Sequence, residues 1–264
     1  MTVDQVWCAR LSRPARRFSK AGVFLVLTGL AACAAGPSEV ARDVTEGSAL
    51  PVVGTLDAGT GDAGTPDDKA AARRAEGRFI ELVVAFTPGA GAGFGIDAMP
   101  WVVLGGPRGE GELRGSTDVV SLGTGGSIVL AFDAFPIIDG EGPDFTVFEN
   151  AFRYGPGQSR VYAELAQVSV SDDGATWFAF PCNGASGVGC AGRLPVYANI
   201  ETNALSCVEP LTSGGDAFDL ATVGLPSARF VRIDDRQTYA PADGDGKAGF
   251  DLDAIAAIHR APTE

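Results

Sequence analysis

The apolar residues of this chain come in runs too short to build a core from helices. From residue 78 onward the runs are "FIELVVAF", "WVVLGG", "DVVSLGTGGSIVLAF", "DFTVFENAF", "AELAQVSV", "TWFAF", "RFVRI" and "FDLDAIAAI". They are rich in Val, Ile and Phe, and Gly, Pro and Asp punctuate them. No long amphipathic helical period lies between them. Short extended segments must satisfy their backbone hydrogen bonds on one another, so the pattern predicts an all-β chain: an antiparallel β-sandwich of about eight or more strands. Residues 78–264 are long enough for one such domain with a full core and long loops.

One hairpin stands out. In "VSVSDDGATWFAF" (168–180), Val168 and Val170 point to one face and Ser169 and Ser171 to the other. Asp172-Asp173-Gly174 tolerates turn dihedrals, and Trp177 adds a large apolar surface after the turn. The acids read as turn formers and Trp177 as a packing residue.

The first 77 residues read differently. Arg10, Arg13, Arg16, Arg17 and Lys20 precede an uncharged apolar run, Ala21 to Ala32. That run is short for a permanent bilayer span and suits the apolar region of an export signal. It ends in "LAAC", which resembles the bacterial lipobox, in which the leader is cleaved before a cysteine that then carries lipid. The expected organisation is a signal peptide over residues 1–32, a lipid-anchored flexible linker over 33–77 starting at Cys33, and the β-sandwich over 78–264. Residues 34–77 are rich in Ala, Gly, Asp, Thr and Pro and offer little apolar surface to offset the entropy of ordering. Ala34 in place of Asp after the cysteine favours the outer membrane in some bacteria, so the expected location is the cell envelope, at the outer membrane or cell surface.

The chain carries a formal charge of −13, and loss of residues 1–32 makes it about −17. Such a surface repels nucleic-acid phosphates and anionic headgroups, which excludes nucleic acid as the natural partner and leaves the lipid at Cys33 as the membrane contact. An exported protein can keep disulfides. Cys182 and Cys190 flank "NGASGVG", a loop that could close, and are the favoured disulfide pair, with Cys207 as the competitor. With no CxxC and one histidine, His259, a zinc site is not expected.

Three motifs recur in order: a strand ending in Ser-Leu-Gly at 121–123, "VSVSDDGATW", and "ARFVRIDD" before a last strand. This order resembles the discoidin domains of the galactose-binding-like superfamily, over roughly residues 117–258. The blocks "DGEGPDFTVFENAF", "GGDAFDLATVGL" and "GFDLDAI" also resemble a group of bacterial cell-surface lipoproteins of myxobacterial type. The resemblance implies a jelly-roll β-sandwich that binds its ligand through loops at one end. Aromatic faces there stack on sugars; Tyr154, Tyr162, Trp101 and Tyr239 are the candidates. Such domains often hold a structural calcium with a loop acid and an acid on the last strand.

Acids cluster accordingly. "DGEGPDF" holds Asp139, Glu141 and Asp144; "GGDAFDL" holds Asp216 and Asp219; "DGDGKAGFDLD" holds Asp243, Asp245, Asp251 and Asp253. Calcium takes about six to eight oxygen ligands, which Asp/Gly loops supply. Asp144, Asp216, Asp251 and Asp253 are the expected calcium ligands, against the plainer reading that these acids cap turns. The stretch from Asp243 starts like an EF-hand loop but has Lys247 at the fifth position and lacks the closing Glu. Glu149 in "DFTVFEN" alternates with Phe145 and Val147, so it shares their inward face. Buried there, its carboxylate needs a metal, backbone donors or an arginine, with Arg229 and Arg232 as candidates. Glu149 and Tyr154 are therefore candidate binding residues.

Catalytic patterns are missing from the sequence. "GAGAGFG" is not followed by a helix within a βαβ unit, as a nucleotide loop requires. There is no GxSxG elbow, and His259 near the C-terminus is expected to be exposed. No spacing singles out a carboxylate pair for sugar hydrolysis. The chain is therefore expected not to be an enzyme. It reads as a surface lipoprotein with a module binding glycan or an envelope protein, or as a purely structural component of the envelope.

Overall fold

Alternating burial builds the main sheet. A computed structural model describes residues 77–203, 205–236 and 249–262. Strand β12 (Phe230–Asp235) buries Val231 and Ile233, while Arg232 and Asp234 stay partly exposed on the opposite face. Strand β3 (Ser127–Ala131) does the same with Ile128 and Leu130, while β8 (Ala166–Ser171) is buried on both faces, with Val168 and Val170 in the core. Together with β1 (Leu82–Thr87) and β9 (Phe178–Ala179) they form an antiparallel five-stranded sheet in the order β1-β3-β12-β8-β9. The period-2 side-chain rule puts every inward residue on one face.

That face packs on a second antiparallel sheet of β10 (Asp216–Phe218), β5 (Phe145–Phe148) and β14 (Ala254–Ala257), in the order β10-β5-β14. Phe145, Val147, Phe218 and Ile255 meet Ile128, Leu130, Val168, Val231 and Ile233 in one core. Phe145 stacks on Phe218 at 5.3 Å between ring centroids. The expected all-β antiparallel sandwich is the observed one. The described strands are completed by short antiparallel pairs. These are β2 (Val120–Ser121) with β13 (Asp251–Leu252), β4 (Ile137–Ile138) with β11 (Ser227–Ala228), and β6 (Phe152–Tyr154) with β7 (Arg160–Tyr162). The smaller sheet is also covered outside: Phe79, Val196, Ile200 and Cys207 pack over Phe148, Ala254 and Ala256. The one described α-helix, α1 (Pro210–Ser213), is a single turn.

The Asp-Asp-Gly turn forms as expected. Ala175 and Thr176 donate their backbone N–H groups to Asp173 Oδ1, and Gly174 donates to Ser171 Oγ. These donors hold the Asp173 carboxyl down at about 2, Thr176 contributing most. "WVVLGG" departs from expectation: Trp101–Val103 is a 3-10 turn, closed by Val103 donating to Pro100 O and Leu104 donating to Trp101 O. Val102 and Val103 are buried by tertiary packing, which overrides their strand propensity. The leader, Cys33, the linker up to residue 76, Tyr239, Asp243 and Asp245 lie outside the described residues.

Ile233→Ala removes a fully buried side chain from the central strand of the larger sheet and is expected to cost about 2–5 kcal/mol in urea unfolding. Val84→Ala, 38% exposed on edge strand β1, is expected to stay within about 0.5 kcal/mol.

Candidate functional site

Strand β5 runs straight into an acid. Phe145 and Val147 point into the core, and Glu149 continues the same phase one step past the strand. It is 1% exposed. Among the described residues neither carboxylate oxygen accepts a hydrogen bond. The Ala151 backbone N–H approaches it and offsets part of the cost without reaching hydrogen-bond geometry. Burial, then the negative charges of Asp251, Glu164 and Asp216, push its pKa well above the ordinary carboxylate range. The arginines considered as partners go elsewhere: Arg229 donates to Asp133 O, and Arg232 pairs with Asp234 on its own strand. Arg232 belongs to the opposite sheet, and Arg229 lies just before its strand β12.

Three further oxygens around Glu149 are also buried and unmatched. Asn150 donates through Nδ2 to Asp251 Oδ2 at 3.0 Å and to Ser116 O at 3.3 Å, leaving its Oδ1 without a donor. Asp251 Oδ1 has none either. Ser121 is the cross-strand partner of Asp251 in the β2–β13 pair, and its hydroxyl is buried and unmatched. Burial pushes Asp251 up to about 6, with the Asp235 charge adding to it and nearby Ser121 and Asn150 opposing it. The entry to β13 is held by acids on the other side: Glu164 accepts from Gly249 N–H at 2.8 Å and Asp235 from Phe250 N–H at 3.0 Å. Gly249 is required there, since a Cβ would lie 2.5 Å from the Gly123 backbone.

The four expected calcium ligands do not converge; no three of them bring ligand atoms within 4.8 Å of one another. Asp216 accepts from Arg193 N–H at 2.7 Å and Leu194 N–H at 3.3 Å, and burial pushes it up to about 6. Asp253 accepts from Arg108 N–H at 2.9 Å and is likewise raised by burial. Asp144 accepts from Gly140 N–H and Leu220 N–H and lies 2.8 Å from His259 Nδ1. His259 is thus half-buried against Asp144 instead of exposed. Asp144 does gather with Asp139 and Asp219, the one group of three or more acid, His or Cys ligands within that distance among the described residues. Sequence alternation flagged Glu149. It missed Asn150 and Ser121, whose proximity depends on strand pairing.

Two surfaces complete the picture. One face of the β6–β7 hairpin carries three rings: Phe152 stacks on Tyr162 at 5.1 Å, with Tyr154 beside it at 6.5 Å. Tyr154 is 38% exposed, while Val161 on the other face packs against Ala163, Leu165 and Cys190. The second surface is a cleft of about 740 Å³ lined by Pro143, Phe180, Leu194, Leu211 and Phe218, with Asp216 and Arg193 among its polar groups. The Cys182–Cys190 disulfide, favoured from sequence, borders it. Cys207, its competitor, lies half-buried over the smaller sheet. No helix among the described residues is long and apolar enough to cross a membrane. Neither a protein-family model nor a curated protein matches the chain.

A carboxyl whose folded pKa lies above its unfolded value adds stability at low pH that is lost as pH rises. For Asp216 the window runs from about pH 4 to about pH 6. Asp173 titrates the other way and below it, so it does not mask the effect. In calcium-free buffer the protein is expected to be less stable at pH 7 than at pH 4.5. Asp216→Asn should remove about 2 kcal/mol of that difference in urea unfolding.

Proposed function

We propose that this chain is an exported surface lipoprotein whose β-sandwich is a non-catalytic glycan-binding module. The aromatic face of the β6–β7 hairpin supports this most directly. Sugar rings present C–H faces that pack on flat aromatic rings, and their hydroxyls need polar neighbours. Tyr154, Phe152 and Tyr162 supply the rings. Arg153, Glu112 and Arg160 lie on or beside the same hairpin as polar groups. The strongly acidic charge favours a neutral or basic glycan over an anionic one. In this reading lipid at Cys33 holds the module at the envelope, and the linker that follows lets it reach away from the membrane.

A second reading has an envelope protein as the partner. The apolar cleft bordered by the disulfide favours it, because Leu211 at its rim is fully exposed.

On a glycan array the protein is expected to bind a defined set of sugars, and Tyr154→Ala to weaken that binding at least about tenfold with unchanged melting temperature. Leu211→Asp should leave it intact. Loss with Leu211→Asp alone, together with a protein captured by crosslinking, favours the second reading. Cys33→Ser is expected to move the protein from the membrane to the soluble fraction; retention in the membrane contradicts the anchor.

A further inference from the structure

Acids outnumber lysines and arginines 33 to 20 in this chain, so an arginine has carboxylates to choose from. Arg108, Arg114, Arg153, Arg193 and Arg232 each pair with one. Among the described residues, Arg78 and Arg260 take none. Arg78 Nη1 donates to Ile258 O at 3.2 Å, and Arg260 Nη1 donates to Gly77 O at 2.8 Å. A guanidinium carries five N–H donors, so each keeps most of them after that bond. Both side chains line one cavity of about 420 Å³, and His259 lines it with them. Three bases thus face a single cavity in a strongly acidic protein.

The bases are held there by their surroundings. Asp144 is fully buried beside His259, accepts from Gly140 N–H and Leu220 N–H, and lies 2.8 Å from His259 Nδ1. As an ionised acceptor it takes the Nδ1–H, which leaves Nε2 for the cavity. When Nε2 is protonated it becomes a donor whose charge Asp144 offsets. Gly140 makes room for this arrangement, since a Cβ there would clash with the imidazole. The Arg260 guanidinium lies over the Phe135 ring, 5.1 Å from its centroid. Ala261 N–H donates to Pro136 O and fixes the backbone beside it.

The lining selects the anion. A guanidinium fork matches a carboxylate or a phosphate. Asp139 and Asp219 gather around Asp144, next to the imidazole, and the chain's formal charge is −13. A dianion meets about twice the repulsion that a monoanion meets from these charges. Ile138, Ile258 and Pro262 add apolar surface to the cavity, which an inorganic ion leaves unused and a hydrocarbon body covers. We propose that Arg78, His259 and Arg260 form a binding site for a small organic monocarboxylate with an apolar body. It lies where Gly77 and Arg78 meet the residues that follow β14. The site shares no residue with the β6–β7 hairpin and does not rest on the glycan reading.

The test uses the full-length protein in detergent, titrated with sodium benzoate and sodium hexanoate. Calorimetry reads stoichiometry and affinity, and nitrogen-15 NMR reads the His259 ring and the arginine Nε–H signals. One saturable site is expected, with a dissociation constant of about 1 mM or tighter, and the His259, Arg78 and Arg260 signals should shift along the same isotherm. Arg78→Gln and Arg260→Gln are each expected to weaken benzoate binding at least about tenfold. Arg229→Gln should leave it unchanged; Arg229 also has no carboxylate partner among the described residues but lies outside the cavity. No saturable binding of either acid, or binding that leaves the His259, Arg78 and Arg260 signals unmoved, overturns the inference on the unmodified chain, whether or not the variants fold. Binding that survives both Arg78→Gln and Arg260→Gln sinks it as well. Equal weakening by Arg229→Gln does the same, because overall charge then accounts for the effect. Equal affinity for benzyl alcohol shows that the carboxylate is not read, and tighter binding of inorganic phosphate overturns the choice of anion. An empty glycan array with normal benzoate binding would sink the glycan reading and leave this site standing.

Discussion

A carboxylate buried at the end of the central strand of the smaller sheet sets the terms for this structure. Glu149 follows β5 without a break, so its direction is fixed by the same alternation that sends Phe145 and Val147 into the core. The backbone cannot release it to solvent without turning those two side chains out. Asp253 donates its N–H to Phe148 O, which locks the end of β5 to the last strands. Glu149 is therefore held in place by the core packing and backbone pairing of its neighbours. Tolerating such a group at the edge of a well-packed core is a pattern of functional sites more than of structural ones.

The consequences spread outward from that position. Gly249 must pass against the Gly123 backbone to bring Asp251 opposite Ser121, and its N–H is taken by Glu164. Asn150 bridges this crossing to Ser116. The β6–β7 hairpin starts and ends at this acid-lined crossing, and its aromatic face is presented from that base. Packing, backbone approach and charge thus meet at one place, and the proposed binding surface is built on it. The disulfide, Asp216 and the apolar cleft lie together on the β10 side of the smaller sheet, where Arg193 Nε is 3.6 Å from Asp216 Oδ1.

The sandwich was legible because its signals are local. Val168 and Val170 alternate with serines, Ile128 and Leu130 alternate likewise, and Asp173 sits where a turn needs an acceptor. Glu149 was legible for the same reason, as an acid in phase with two core residues. The composition of its surroundings was not. Ser121, Asn150 and Asp251 are far apart in sequence and meet through a two-residue strand pair, too short to leave a periodic trace. Asp144, Asp216 and Asp253 looked equivalent to Asp251 in Asp/Gly-rich loops. Only their donors distinguish them: each is satisfied by backbone N–H groups, and Asp251 keeps an oxygen unmatched. "WVVLGG" misled because burial, not strand propensity, fixes Val102 and Val103.

The most direct measurement is the titration of the Glu149 side-chain carboxyl by carbon-detected NMR. The account predicts a midpoint well above the ordinary carboxylate range, raised by burial and then by the charges of Asp251, Glu164 and Asp216. A midpoint in the ordinary range, about 4, would contradict it.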